Sequence, residues 1–406
     1  MNINKLILIF FNPKNAGVIL ISLIFFLYTL PSMLLSFNYN NKYYIQFLLI
    51  SFVGMIGLFI GRYSKLLDGI FKKDKKYVSP NKFVKFFIIL FFINIILVIS
   101  IQPEIPIINA LIGNSSQGEL DAQRGYLKNA GGLGFIVNYL NVFLLSSFMP
   151  LCIGLSFLYN LKIKKFILVQ YLVFSVLFLQ KSLFLFAILP LFIALRLKNR
   201  LKFGRIFVFF IFIYTLLSIL TSLSVDVVST SSSASILGTN FFSAKYEAVS
   251  SADFIIWRAI GVPFATAIDS LIVFDNYLRN QNLFGGTSRF LAAIFNLRYI
   301  NVEQLVFNYQ FGSIGYESSY IDDSIGRANA IYLIDAFINF NWLGVLVISL
   351  IIGYIFRGFW KLNERAWSVL FLLFTFQLLS VSFINLILSG GYLIIFLLML
   401  TLKFNK

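Results

Sequence analysis

Uncharged apolar runs recur along the whole of this 406-residue chain. Most are about 18 to 25 residues long, the length a helix needs to cross the hydrocarbon core of a bilayer at about 1.5 Å per residue. The composition agrees: 59% of residues are hydrophobic, 12% are charged and the mean hydropathy is +0.87, whereas soluble domains are about a quarter charged. The chain therefore reads as an all-α polytopic membrane protein whose helices pack in lipid. Histidine is absent, and the single cysteine, Cys152, lies inside an apolar run. Zinc sites built on histidine, Ser-His-Asp triads, Cys-His dyads and disulfides are thereby excluded.

The pattern predicts about ten spans, near 16–37, 43–61, 83–101, 135–159, 206–224, 341–356, 367–386 and 392–402, with two more from a run over 166–195. That run is too long for one crossing and is interrupted by Gln180, Lys181 and Ser182, so it divides into two short helices with Lys181 at the turn. No small-residue cleavage site follows the first span, which is expected to be an anchor. Three units result: a membrane bundle of about seven spans over 1–224, a large external loop over 225–340, and a closing bundle of about three spans over 341–406.

The net charge of +17 is explained by sidedness. With alternate loops assigned to the cytoplasm, 23 cations and three acids (Asp68, Asp74 and Glu364) lie inside, and ten cations with thirteen acids lie outside. The inside is then +20 and the outside −3, as the positive-inside rule requires, with both termini cytoplasmic and no nucleic-acid partner implied. The large loop is aromatic and Gly-punctuated after the Ser-rich stretch 229–235, which suits folding against the membrane. Its segment 254–274 is expected to be an interfacial or re-entrant helix, broken near Pro263.

Of 21 Lys and 12 Arg, only four Lys but six Arg lie outside, and the large loop holds Lys245 against Arg258, Arg279, Arg289, Arg298 and Arg327. Guanidinium groups give bidentate bonds to phosphate or carboxylate that an ammonium does not. The external arginines thus point to an anionic ligand; the alternative is pairing with Asp253, Asp269, Asp275, Glu317, Asp322 or Asp323. Lys181 has two readings, phosphate binding or snorkelling to the interface. Arg124 and Lys128 sit in the Gly-rich stretch 113–134, where backbone amides can meet an anion. Asp335, eight residues after Arg327, is either a general base or orienting carboxylate, or a charge favoured by a helix N-terminus. The adjacent pair Asp322 and Asp323 has no third ligand, so no metal or other cofactor is expected.

The stretch LIDAFINFNWLGV at 333–345, an acidic and aromatic start to a span followed by glycine, resembles the Wzy-type O-antigen and oligosaccharide repeat-unit polymerases of bacterial envelopes. The turn Gly285-Gly286-Thr287-Ser288 upstream, the broken middle hairpin with its cation and the long external loop late in the chain resemble them too. Lys181 stands where the family commonly has Arg, Asn341 stands where Gly is common, and the Arg-x10-Gly repeat is absent.

This resemblance implies a glycosyltransferase C-like arrangement in the bacterial cytoplasmic (inner) membrane. It also implies transfer of a growing glycan from a polyprenyl diphosphate carrier to a hydroxyl of the next lipid-linked repeat unit on the external face. A chain-length regulator is an implied partner. In that reaction Asp335 and Arg258 would be catalytic, with Arg124, Lys181, Arg289 and Arg327 holding diphosphate or sugar. Two rivals are a surface-polysaccharide ligase, which usually relies on an external histidine, and a lipid-linked oligosaccharide flippase, which suits about twelve spans and short loops.

Overall fold

The computed structural model describes residues 15–39, 41–66, 75–112, 132–200, 251–311, 331–361 and 365–405, with isolated positions between them. In chain order the first helices are α1 (Ala16–Asn38), α2 (Lys42–Tyr63), α3 (Pro80–Ile101), α4 (Pro106–Ile112), α5 (Leu133–Leu158), α6 (Lys164–Leu177) and α7 (Lys181–Leu197). There follow α8 (Asp253–Asn276), α9 (Arg289–Ile294) and α10 (Val302–Phe311). Within Tyr332–Lys361 a non-helical Asn341 separates α11 (residues 332–340) from α12 (residues 342–361). The chain closes with α13 (Trp367–Leu378), α14 (Phe383–Leu388) and α15 (Tyr392–Thr401). Two three-residue strands, β1 (Lys76–Val78) and β2 (Leu402–Phe404), pair in parallel.

Among the described residues, six stretches are long and apolar enough to cross a membrane: α1, α2, α3, α5, α8 and Tyr332–Phe359, the last of which Asn341 divides. The protein is thus a predominantly helical, multi-pass membrane protein. Of the expected span at 206–224 only isolated positions are among the described residues. The run over 166–195 divides as expected, and its turn is a Schellman motif: Leu179 N–H donates to Val176 O and Gln180 N–H to Ser175 O, with Leu179 itself at φ +50°. The expected span 367–386 is interrupted between Leu378 and Phe383, where Ser382 accepts from the Asn385 N–H and caps α14.

Proline does not break these helices. α1, α5 and α8 each contain one π turn, at Phe25–Thr29, Leu144–Phe148 and Trp257–Gly261, and each turn ends two residues before a proline, Pro31, Pro150 or Pro263. The wider turn makes room for a ring that otherwise clashes with the carbonyl four residues back. In α5 that carbonyl is Ser146 O, which accepts from Gln377 Nε2 at 3.0 Å, while Leu145 O accepts from the Tyr171 hydroxyl at 2.7 Å. The break expected near Pro263 is therefore absent and α8 runs on. Asp275 bonds Lys42 and Tyr43, yet Phe264, about 16 Å further back along α8, packs on Tyr44 and Phe47. Both contacts fall within the first two turns of α2, so α8 crosses that end of α2 steeply.

α2 and α12 run parallel in close contact. Gly57 and Gly61 form a GxxxG pair, and Gly353 answers them from α12. A Cβ at Gly57 would lie 2.8 Å from Leu346 O, one at Gly353 2.5 Å from Leu58 O, and one at Gly61 would collide with Leu350 O. Beyond this seam the Arg357 guanidinium donates to Asp68 from Nε at 2.6 Å and Nη2 at 2.8 Å, and from Nη1 to Arg62 O at 3.2 Å. The ion pair holds the Asp68 carboxyl down at about 2. A carboxyl depressed in this way supports the fold above the ordinary carboxylate range, and that support is lost progressively as the pH falls from the ordinary carboxylate value to about 2. The β1–β2 ladder and the bond from Trp367 Nε1 to Leu402 O join three of the expected cytoplasmic segments, those after α2, after α12 and after α15.

The seam predicts that Gly61→Leu lowers the thermal midpoint of the purified protein, at a cost of about 1–3 kcal/mol or more from overpacking. Gly69→Ala, where an added Cβ meets nothing within 4 Å, leaves it unchanged. A size-exclusion thermal-stability assay in detergent reads both.

Candidate functional site

Asn341 reverses the chain. It has φ +56° and ψ −153°, a region that residues other than glycine occupy at about 1–3 kcal/mol of strain. The Tyr332 hydroxyl and Ser349 Oγ are 3.1 Å apart. In a straight helix these residues would be about 25 Å apart along the axis, so α11 and α12 fold back on one another as a helical hairpin. The Asn341 side chain assists, since its Oδ1 accepts from the Trp342 N–H at 2.8 Å.

A helix that ends inside the bundle leaves carbonyls without partners. For α11 they are taken by the turn upstream of α9: Leu283 N–H donates to Ile338 O at 3.2 Å and Phe284 N–H to Asn339 O at 3.0 Å. Asn339, fully buried, joins the two segments with its side chain. Its Oδ1 accepts from the Gly285 N–H at 2.8 Å, and its Nδ2 donates to Thr287 Oγ1 at 2.8 Å and Asp335 O at 2.8 Å. The turn needs its glycines, because Gly285 has φ +100° and a Cβ at Gly286 would lie 2.9 Å from Leu283 O.

This network orients Asp335. Its Oδ1 accepts from Thr287 Oγ1 at 2.8 Å and from Asn339 Nδ2 at 3.2 Å. Its Oδ2 is buried and has no hydrogen-bond partner among the described residues. Asp335 lines a cavity of about 230 Å³. One wall is formed by Asn138 and Tyr139 of α5, another by Thr287, Ser288 and Arg289, and a third by Ser382, Asn385 and Ser389 at the interrupted C-terminal helix. Ser270 of α8, Tyr299, Asn301 and Glu303 complete the polar lining. Arg289 is exposed, with its guanidinium 5.2 Å from the centre of the Tyr299 ring. The site lies toward the Asn341 end of α12, where Ala336 stands beside Gly344, about 20 Å along that helix from the Arg357 clamp.

Of the residues singled out from the sequence, Asp335 and Arg289 line this one cavity. Arg258 lies on the exposed side of the π turn in α8 and is not part of the lining. Lys181 is the first residue of α7, at the expected turn, and its side chain lies outside what is described. Arg124 and Arg327 lie outside the described residues, as do Asp322 and Asp323. Among the described residues no cluster of three His, Cys, Asp or Glu could hold a metal.

Sequence reasoning missed Thr287 and Asn339 as partners of Asp335, although both fall in the stretches that carry the family resemblance. Asn339 follows Asp335 by four residues, one helical turn. It also missed Ser382, Asn385 and Ser389, whose i, i+3, i+7 spacing is a polar stripe in an otherwise apolar segment.

Two outcomes follow for stability in detergent. Asn339→Leu leaves the Gly285 N–H and Thr287 without their partner and lowers the thermal midpoint by the equivalent of about 1–3 kcal/mol per orphaned group. Asn341→Gly relieves strain of about 1–3 kcal/mol against a loss of about 0.5–1 kcal/mol in chain entropy and raises the midpoint, whereas Asn341→Val lowers it. Comparison of the chain with protein-family models, with curated proteins and with solved structures finds no match, so its function is argued from this site alone.

Proposed function

We propose that the protein polymerises lipid-linked oligosaccharide repeat units, as a Wzy-type polymerase of about ten spans with a glycosyltransferase C-like arrangement. It would act on the external face of the bacterial cytoplasmic membrane. The observation that carries this reading is a carboxylate with one unpartnered oxygen, held on a re-entrant helical arm, in a cavity of mixed polar and apolar lining whose exposed edge carries an arginine. The apolar helices beside it are suited to a prenyl chain.

In this reading an acceptor hydroxyl of the incoming repeat unit attacks the anomeric carbon of the growing glycan. A new glycosidic C–O bond forms as the C–O bond to the carrier diphosphate breaks. The hydroxyl proton passes to Asp335 Oδ2, and the electron pair leaves with the polyprenyl diphosphate. Arg289 at the mouth stabilises the charge that develops on the departing diphosphate; Arg258, about 18 Å along α8 from Ser270, would have to act on a part of the substrate outside the cavity. Lys181, Arg124 and Arg327 hold the rest of the diphosphate and sugars. A carboxylate is the natural proton acceptor in a chain without histidine.

The test is incubation of the purified protein in liposomes with a polyprenyl-diphosphate-linked repeat unit from the source strain, with products resolved by mass. Wild type yields a ladder of lipid-linked oligomers. Asp335→Asn slows it by about 10²-fold or more, and Arg289→Ala slows it as well. Absence of a ladder from folded wild-type protein with authentic donor would overturn the proposal and leave ligation to an added acceptor, or flipping, as the activity to measure.

A further inference from the structure

The cavity separates its charges. Its described cation, Arg289, is exposed, while the unpartnered Asp335 Oδ2 is buried. Glu303 adds a second carboxylate to the lining. A diphosphate pushed inward would leave the guanidinium and meet no other cation among the lining residues. The remaining polar lining is uncharged: Asn138, Ser270, Asn385 and Ser389 offer hydroxyl and amide groups from three separate helical segments. Tyr139 and Tyr299 add aromatic surface of the kind that packs on the C–H faces of a pyranose. At about 230 Å³ the space falls below the range of about 300–1,000 Å³ typical of drug-sized ligands, and suits one ring rather than an oligosaccharide. Asp335 Oδ2, already buried and lacking a donor, gains one if a ring hydroxyl reaches it.

We infer that this cavity is a subsite for a single uncharged sugar ring of the acceptor glycan, seated with a hydroxyl on Asp335, while the diphosphate-bearing end stays at the mouth beside Arg289. The inference rests on the polymerase reading for the word acceptor; the sugar site itself can be tested without turnover.

The experiment uses the full chain in lipid nanodiscs. The probes are the repeat-unit oligosaccharide freed of its carrier phosphates by mild acid, and inorganic diphosphate, with binding followed by saturation-transfer NMR. Wild type binds the phosphate-free sugar, and equimolar diphosphate does not displace it. Ser389→Tyr, which fills the cavity, and Asp335→Asn, which removes the charged acceptor, each weaken binding by about tenfold or more, with elution volume and tryptophan fluorescence showing that both variants are folded. Displacement by diphosphate, wild-type affinity in both folded variants, or no binding to wild type would each overturn the subsite. A ladder of products without sugar binding here removes the subsite and leaves the polymerase. Sugar binding here without a ladder removes the polymerase and leaves a carbohydrate site.

Discussion

Inside a bilayer no water is at hand for a broken helix, so irregular backbone persists only where the protein supplies the missing partners. The fold depends on how this is met at one place, the end of α11. There Leu283 and Phe284 give their N–H groups to Ile338 O and Asn339 O, and Asn339 returns its side-chain oxygen to Gly285. The hairpin at Asn341, the seating of the glycine turn and the direction of Asp335 all follow from this junction. The other interruptions obey the same rule: Tyr28 donates to Leu379 O where α13 ends, and Tyr171 and Gln377 answer the carbonyls freed by the π turn and proline of α5.

A carboxylate fixed by such a junction differs from one on a surface loop. Thr287 and Asn339 occupy one oxygen of Asp335, which selects a single orientation and leaves the other buried without a partner among the described residues, in a residue that lines the cavity. The supporting elements come from four distant parts of the chain: α5, α8, the 283–303 segment and the C-terminal interrupted helix. At the opposite end of α12 the Arg357–Asp68 pair and the parallel β1–β2 ladder tie down the other face. The hairpin is thus anchored at both ends, and the glycine seam between α2 and α12 sets how closely it lies against the bundle.

Much of the architecture was legible in the sequence because apolar length is a direct consequence of bilayer thickness. α1, α2, α3 and α5 begin and end within a few residues of their expected bounds, and the division at Lys181 is where a polar triplet interrupts an apolar run. What was not legible is what length does not encode. The run 341–356 gave a simple crossing, but nothing in its hydropathy announces that the residues before Asn341 fold back; only the polar pair Asp335 and Asn339 on one turn hints at it. Pro263 suggested a break, and the π turn that absorbs it has no composition signal of its own. Of the site, Asp335 and Arg289 were identified by charge alone. Asn339 and Thr287 were not, because their role arises from a hydrogen-bonded contact across 52 residues of chain.

The central claim is that the 283–286 turn is docked on α11 and thereby holds the site. Amide hydrogen exchange of the full chain in nanodiscs, read on peptides that cover this turn, tests it without any assumption about substrate. The account predicts that the amides of Leu283, Phe284, Gly285 and Gly286 are protected to the extent of a bundle helix, although they lie in a loop, because each is hydrogen-bonded. Exchange at the rate of an unstructured segment would contradict it and with it the proposed support of Asp335.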